Sequence, residues 1–205
     1  MLSNLDFDLI SIAVPPLKQD KIINYCLKKS IPVFAEKPLA TNIKTVRNIL
    51  NLQKKLNVPA FTSSKELEVA KKLLVMPDED YSIMFDNIFQ RSGIPREQKQ
   101  EMLGATRLYK NKVFNLPDFK IISEGFEIES NEGMWKVRTD VGHSPEHISL
   151  TDKKRSLYLA GDFLLPRISP NVSDNFFDPF DDRLGGYLNY LNDIKTINSE
   201  VEVFP

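Results

Sequence analysis

The only two histidines of this chain, His143 and His147, lie four residues apart in the stretch TDVGHSPEHISL. An acidic residue, Asp162, follows in the sequence AGDFLLP. Imidazole nitrogens and carboxylate oxygens are both zinc ligands in proteins. A glycine, a histidine, a turn and a second histidine before an alternating strand are typical of part of a metal site. A hydrolytic metal site usually takes about three to five ligands, so further ligands would have to come from other parts of the chain.

Short strands must position this stretch. Alternating or apolar runs predict strands at FKIIS, FEIES, MWKVRTDV, EHISLTD and SLYLAGD, with turns at residues 131–133 and 152–153. Apolar residues at helical spacing predict a closing helix at about residues 183–197, and VEVF predicts a last short strand. The order predicts a mixed sheet within residues 58–205.

Helices are predicted between residues 63 and 110. Ser63 and Glu66 have the S-x-x-E spacing of a capping box, in which each side chain bonds the backbone N–H of the other residue. A stripe of Met and aromatic residues at positions 81–89 and a further helix at 96–110 follow, and such a stripe is more often core than cofactor site.

The first third of the chain has a β-α-β-α pattern. DLISIAV (8–14) and IPVFAEKP (31–38) are apolar runs that end in prolines, which cannot donate to a sheet. Helical spacing predicts a helix at residues 18–29 and another after Thr41 or Asn42, either of which can be its cap. A strand, helix and strand of this length predict a parallel pair with a right-handed crossover.

Composition limits the classes of function. The chain of 205 residues has 27 basic and 28 acidic side chains and no basic run, which gives no indication of nucleic-acid or membrane-surface binding. Its one cysteine, Cys26, cannot form an internal disulfide. The first sixteen residues lack the basic and long apolar segments of a signal peptide. We therefore expect a cytoplasmic protein with no nucleic-acid partner and no membrane contact.

Residues 6 to about 60 resemble the Gfo/Idh/MocA oxidoreductases. The resemblance rests on DLISIAVPP and on EKPLA after the second strand. It implies that Lys37 lies near the nicotinamide and that Pro15, Pro16 and Glu36 line the cofactor cleft. The family's glycine-rich phosphate loop has no counterpart here, since the first glycine is Gly93. A plainer alternative makes Lys37 a solvent-facing strand end, and we expect no useful NAD(P) affinity.

The remainder, about 59–205, resembles the metallo-β-lactamase-fold hydrolases through VGHSPEHISLTDKKRSLYLAGDFLLPRISPNVS. The resemblance implies that His143 binds metal, that Asp162 bridges two metal ions and that His147 is a neighbour in the turn. It also implies hydrolysis of an ester, thioester or lactam by water that zinc activates. The family's H-x-H-x-D-H motif is missing, so two of about seven ligands remain, and zinc binding is expected to be weak or absent.

Together the two resemblances predict an α/β chain: a partial metallo-β-lactamase αββα sandwich preceded by a βαβα half-Rossmann segment. The domains are expected at residues 1–57 and 58–205, joined as a chimera at about 50–62. Glu36 would then face the metal site as a possible third ligand, whereas Lys37 would disfavour a divalent cation there.

Three functions stay open at this point. The first is a metal-dependent hydrolase of small molecules or its inactive relic, the second an NAD(P)-dependent oxidoreductase fragment, and the third a non-catalytic chimera. Unless residues 6–57 repack onto the sheet, the apolar surface near Trp135, Ile148 and Leu159 is expected to stay uncovered. The strand VEVF is separately expected to be unpaired. Exposed apolar surface and free strand edges favour self-association.

Overall fold

The structure, a computed structural model, describes residues 7, 9–12, 14–35, 39–110, 116–130, 132–172, 177–178, 181–197 and 199–205. The described strands are β1 (Ile10–Ile12), β2 (Val33–Ala35), β3 (Ala60–Thr62), β4 (Phe119–Ile121), β5 (Glu127–Glu129), β6 (Met134–Asp140), β7 (His147–Asp152), β8 (Leu157–Leu159) and β9 (Glu202–Phe204). The described helices are α1 (Pro16–Lys29), α2 (Ile43–Lys55), α3 (Ser64–Val75), α4 (Asp78–Arg91), α5 (Arg96–Lys110) and α6 (Arg183–Ile194), with a short 3-10 helix at Gly161–Phe163. Among the helices in these ranges, none combines the length and apolar character that crossing a membrane requires.

The elements β1 to α2 form an N-terminal unit with its own apolar core. β1 and β2 pair in parallel, with Ile10 beside Val33, as the sequence predicted, although both strands are shorter than the apolar runs that contain them. Asn42 is the cap of α2, because its Oδ1 accepts from the Thr45 N–H at 2.9 Å. The buried members of the core are Ile12, Ile23, Leu27, Ala40 and Ile49.

The five strands β5 to β9 form one sheet in sequence order. The first four strands are antiparallel, and β9 pairs in parallel with β8, which makes the sheet mixed as predicted. Val203 of β9 lies beside Tyr158 in this register. The expectation that VEVF stays unpaired is therefore wrong, because the edge of β8 provides hydrogen bonds for it.

The N-terminal unit contacts this sheet. Leu9 and Phe34 pack against a buried cluster that contains Trp135 and Leu159. Trp135 is 3% exposed and Leu159 is 5% exposed, so the uncovered apolar surface expected around them does not form. Residues 6–57 do cover this surface in part, because two apolar side chains of the first unit, Leu9 and Phe34, reach the sheet. Self-association stays a prediction.

The helix α3 begins differently from the predicted capping box. Ser63 is the N-cap residue, but its side chain makes no cap hydrogen bond. Its Oγ donates instead to the backbone carbonyl of Glu146 at 2.7 Å, 83 residues later in the chain. The capping-box prediction was wrong because a tertiary partner competes for the same groups, and local spacing cannot show such a partner.

Candidate metal centre

The sheet register brings the two predicted ligands to one end of the sheet. β7 and β8 run antiparallel, with Leu150 beside Leu159. The chain that enters β7 therefore lies near the chain that leaves β8. His143 comes from the loop before β7, and Asp162 comes from the 3-10 helix after β8. Gly161, which precedes Asp162, has a φ of +55°, a conformation that favours glycine.

His143 and Asp162 face each other. The His143 Nε2 lies 3.5 Å from the Asp162 Oδ2, and both side chains are partly exposed. The other ring nitrogen, Nδ1, lies 2.9 Å from the backbone carbonyl of Asn171. Because a carbonyl oxygen can only accept, Nδ1 carries the proton, and Nε2 is the nitrogen presented to the carboxylate. A ring nitrogen fixed by a hydrogen bond on its far side is the usual arrangement of a metal-binding histidine.

The start of the His143 loop packs tightly on α6. A Cβ built on Gly142 would lie 2.9 Å from the Phe163 ring and 3.0 Å from the Tyr187 Cβ. A Cβ on Gly186 of α6 would lie 2.8 Å from the Val141 carbonyl oxygen. Only the absence of side chains at both glycines permits this approach. The loop therefore enters the site along a fixed path.

The end of the same loop is tied to α3. Besides the bond from Ser63, the Glu146 Oε2 accepts from the Lys65 N–H at 2.9 Å and from the Ser64 Oγ at 3.0 Å. The Glu146 N–H in turn donates to the Glu66 Oε1 at 3.2 Å. The backbone and the side chain of Glu146 are thus both held by the first turn of α3.

His147 is packed among aromatic rings next to the His143–Asp162 pair. Its side chain is buried, and its ring centroid lies 4.6 Å from that of Phe163 and 6.2 Å from that of His143. Phe163 stacks edge-on against Tyr190, whose hydroxyl lies 2.9 Å from that of Tyr158. Burial raises the pKa of both tyrosines, so both hydroxyls stay protonated and act as hydrogen-bonding supports.

Asp140 is an additional carboxylate near the loop, opposite His147 on β6. Both of its oxygens already accept from Arg138, from Nε at 2.6 Å and from a terminal guanidinium nitrogen at 2.8 Å. The hydrogen bonds to Asp140 are the main reason that the pKa of Arg138 lies above its ordinary value. Asp140 is therefore committed to an ion pair in this arrangement.

Comparison with protein families identifies the larger part of the chain. The family model described as the metallo-beta-lactamase superfamily matches residues 47–204. The chain belongs to the metallo-β-lactamase superfamily. The mixed α/β fold predicted from the sequence is confirmed, and so is this resemblance.

Solved structures of the same superfamily share this fold. A beta-lactamase domain protein from Burkholderia ambifaria is 26% identical over 72% of this chain, with a TM-score of 0.56. A metallo-beta-lactamase family protein from Thermus thermophilus is 19% identical over 70% of this chain, with a TM-score of 0.57. The B3 metallo-beta-lactamase BLEG-1 is 14% identical, with a TM-score of 0.53, over 96% of this chain and 79% of its own. The chain spans only 40% and 45% of the first two proteins.

The first part of the chain matches a second family. The model described as an oxidoreductase family with an NAD-binding Rossmann fold matches residues 1–64, so the predicted Gfo/Idh/MocA resemblance is also confirmed. No curated protein matches the sequence. Pro15 precedes α1 and Pro16 is its first residue, whereas Glu36 and Lys37 lie outside the described residues.

His143 and Asp162 could supply two ligands to a zinc ion, which is fewer than a catalytic zinc centre has. His143 and Asp162 are close enough to share one ion, with zinc–ligand distances of about 2.0–2.2 Å. Within the described ranges, however, no three His, Cys, Asp or Glu side chains form a group that could hold a metal. Catalytic zinc sites have about three protein ligands, so no hydrolytic step is assigned to this pair.

Sequence reasoning brought His143 and Asp162 together but missed their supports. The carbonyl of Asn171 is a backbone atom and has no signature in the sequence. The role of Glu146 had a weak signal, because Ser63 and Ser64 mark a helix start and an acidic residue is favourable there. Because Glu146 follows Ser63 by 83 residues, the sequence alone could not show that they are in contact.

Proposed function

We propose that this chain is the relic of a metallo-β-lactamase-fold hydrolase, which binds a divalent cation weakly and does not turn over substrate by itself. The observation that carries the proposal is the His143–Asp162 pair, 3.5 Å apart, with the histidine held by the Asn171 carbonyl. This geometry presents two acceptor atoms to one point and suits a cation between them.

Weak binding follows from the number of ligands. The chain has two histidines in all, and His147 is buried against Phe163 beside the pair. Asp140 is engaged by Arg138. Among the described residues two protein ligands face this point, and two ligands leave the ion mostly to water, so it exchanges readily with the solvent. The proposed ancestral reaction is hydrolysis of an ester, thioester or lactam, a class with which the superfamily assignment is consistent.

Zinc binding tests the first half of the proposal. Equilibrium dialysis with metal analysis is expected to show one weakly held zinc ion per chain. His143→Ala and Asp162→Asn should each abolish this binding. Glu129→Gln is the matched control, because it removes an exposed carboxylate on β5, at the far edge of the sheet. Tight zinc binding, or binding that survives both substitutions, would contradict the proposal.

Turnover tests the second half. Purified protein with saturating zinc is offered p-nitrophenyl acetate, a chromogenic thioester and a chromogenic cephalosporin. We expect no hydrolysis above that of the His143→Ala variant. Hydrolysis of any one of the three that disappears in His143→Ala would show an active enzyme rather than a relic.

A further inference from the structure

Glu146 caps the N-terminus of α3 from a distant part of the chain, whereas a helix cap normally comes from the residue that precedes the helix. The first N–H groups of a helix have no partner within the helix. In α3 the Ser63 side chain does not cap, and the Lys65 N–H donates to the Glu146 carboxylate instead. A negative charge at this end of a helix is also favoured by the helix dipole.

Glu146 is bound through all three of its polar groups. Its N–H donates to Glu66, its carbonyl accepts from Ser63, and its carboxylate accepts from Ser64 and Lys65. Ser63 is fully buried, so its bond to the Glu146 carbonyl is shielded from water, whereas the two bonds to the Glu146 carboxylate are exposed. Such a set of bonds fixes both the position and the direction of the backbone at residue 146.

The loop between β6 and β7 is therefore anchored at both ends. At its start, Gly142 lies against Phe163 and Tyr187. At its end, Glu146 lies on α3. His143 lies between these two anchors in the chain.

We propose that Glu146 is a positioning residue for His143. By capping α3 it holds the loop so that Nδ1 stays on the Asn171 carbonyl and Nε2 stays toward Asp162. This inference rests on the proposed cation site for its effect on affinity, whereas its effect on the His143 ring exists without any metal.

The test uses the ring nitrogens directly. Since the chain has two histidines, protein labelled with ¹⁵N-histidine gives two imidazole spin systems, assigned with His143→Ala. In metal-free wild-type protein we expect His143 as the Nδ1–H tautomer. In Glu146→Ala we expect shifts averaged between the two tautomers, and in Glu146→Gln, which keeps an acceptor oxygen but loses the charge, an intermediate change.

Asn42→Ala is the matched control, since it also removes a helix cap, but on α2 of the N-terminal unit. It should lower the melting temperature and leave the His143 tautomer as in wild type. Zinc affinity should fall about 10–100-fold in Glu146→Ala, as when a supporting partner of a metal ligand is lost.

Three outcomes separate the two proposals. An unchanged His143 tautomer in a folded Glu146→Ala variant would overturn the positioning role, whatever its melting temperature. A changed tautomer in that variant, together with a wild-type protein that binds no zinc, would support the positioning role and contradict the cation site. If Glu146→Ala does not fold, Glu146→Gln and Ser64→Ala decide, and wild-type tautomers in both would overturn the inference.

Discussion

The N-terminal unit and the five-stranded sheet differ in what they bury. The core of the first is a cluster of aliphatic side chains, with Gln19 as a buried polar side chain of α1. The sheet and its helix bury polar and aromatic groups as well, namely His147, Ser149, Asp152, Tyr158, Arg183 and Tyr190. Buried polar groups are costly unless they are paired, so such groups mark places where specific geometry is maintained. The first unit therefore contributes packing, whereas the second contains the proposed cation site.

Truncation of Trp135, a buried aromatic residue of β6, should have the largest effect on stability. Trp135 is 3% exposed, and the guanidinium of Arg155 lies 5.0 Å from its ring centroid. Trp135→Ala should lower the free energy of unfolding by about 3–5 kcal/mol. Urea denaturation followed by circular dichroism measures this loss. A loss below about 1 kcal/mol would show that this cluster is not the core of the sheet.

The buried ion pair of the sheet should make stability depend on pH. Asp152 is 1% exposed, and burial alone would raise its pKa, but the hydrogen bonds and charge of Arg155 lower the pKa overall. A folded-state pKa below the unfolded value, about 3.9, stabilises the protein fully above that value. This contribution is lost as the pH falls through the lower, folded-state value.

Asp152→Asn should therefore destabilise the protein near neutral pH by about 1.5–3 kcal/mol, the cost of losing hydrogen bonds to a charged group, because Arg155 loses its charged partner. The difference between the variant and wild type should shrink as the pH falls below about 4. Thermal unfolding across an acidic pH series measures it. A difference that is the same at every pH would contradict the assigned pKa direction.

The contact between the two units should have a smaller effect. Phe34 is half-buried in β2 and packs against the cluster of Trp135. Phe34→Ala should cost about 2 kcal/mol, roughly half the cost of truncating a fully buried phenylalanine. If the first unit covers the sheet, the variant should unfold in one shifted transition. A separate early transition that leaves the sheet's own transition unchanged would show that the units are independent.

We expect the chain to bind neither NADH nor NADPH measurably. The 205-residue chain offers no glycine-rich turn to the pyrophosphate of NADH or NADPH, since its first glycine is Gly93. Calorimetric titration with each nucleotide should give no measurable heat of binding. Micromolar affinity that disappears in Lys37→Ala would contradict this and give the N-terminal unit a chemical role.

The fold could be predicted from the sequence where local pattern decides it. The alternation in MWKVRTDV and EHISLTD predicted β6 and β7, and the apolar runs DLISIAV and IPVFAEKP predicted the parallel pair of β1 and β2. Strand ends, the partner of β9 and the cover over Trp135 depend on distant contacts and could not be predicted. Nothing in the local pattern of IPVFAEKP shows that Phe34 reaches the sheet.

The sequence indicated His143 and Asp162 as candidate ligands, because histidine and aspartate occur there in an order that resembles a known family. The structure places them 3.5 Å apart, and their role as metal ligands stays a prediction. The groups that contact the His143 loop include Gly142, Glu146 and the Asn171 carbonyl, which are common residue types without a signature in the sequence. Their roles appear only when the loop, α3 and α6 are placed in space.

We propose that His143 and Asp162 together hold one weakly bound cation. Competition titrations of zinc against a chromogenic chelator test this most directly, for wild type, His143→Ala, Asp162→Ala and the double variant. If both residues bind the same ion, each single substitution should remove binding, and the double variant should be no weaker than either one. Tight binding in wild type, or zinc that the double variant retains, would contradict the claim.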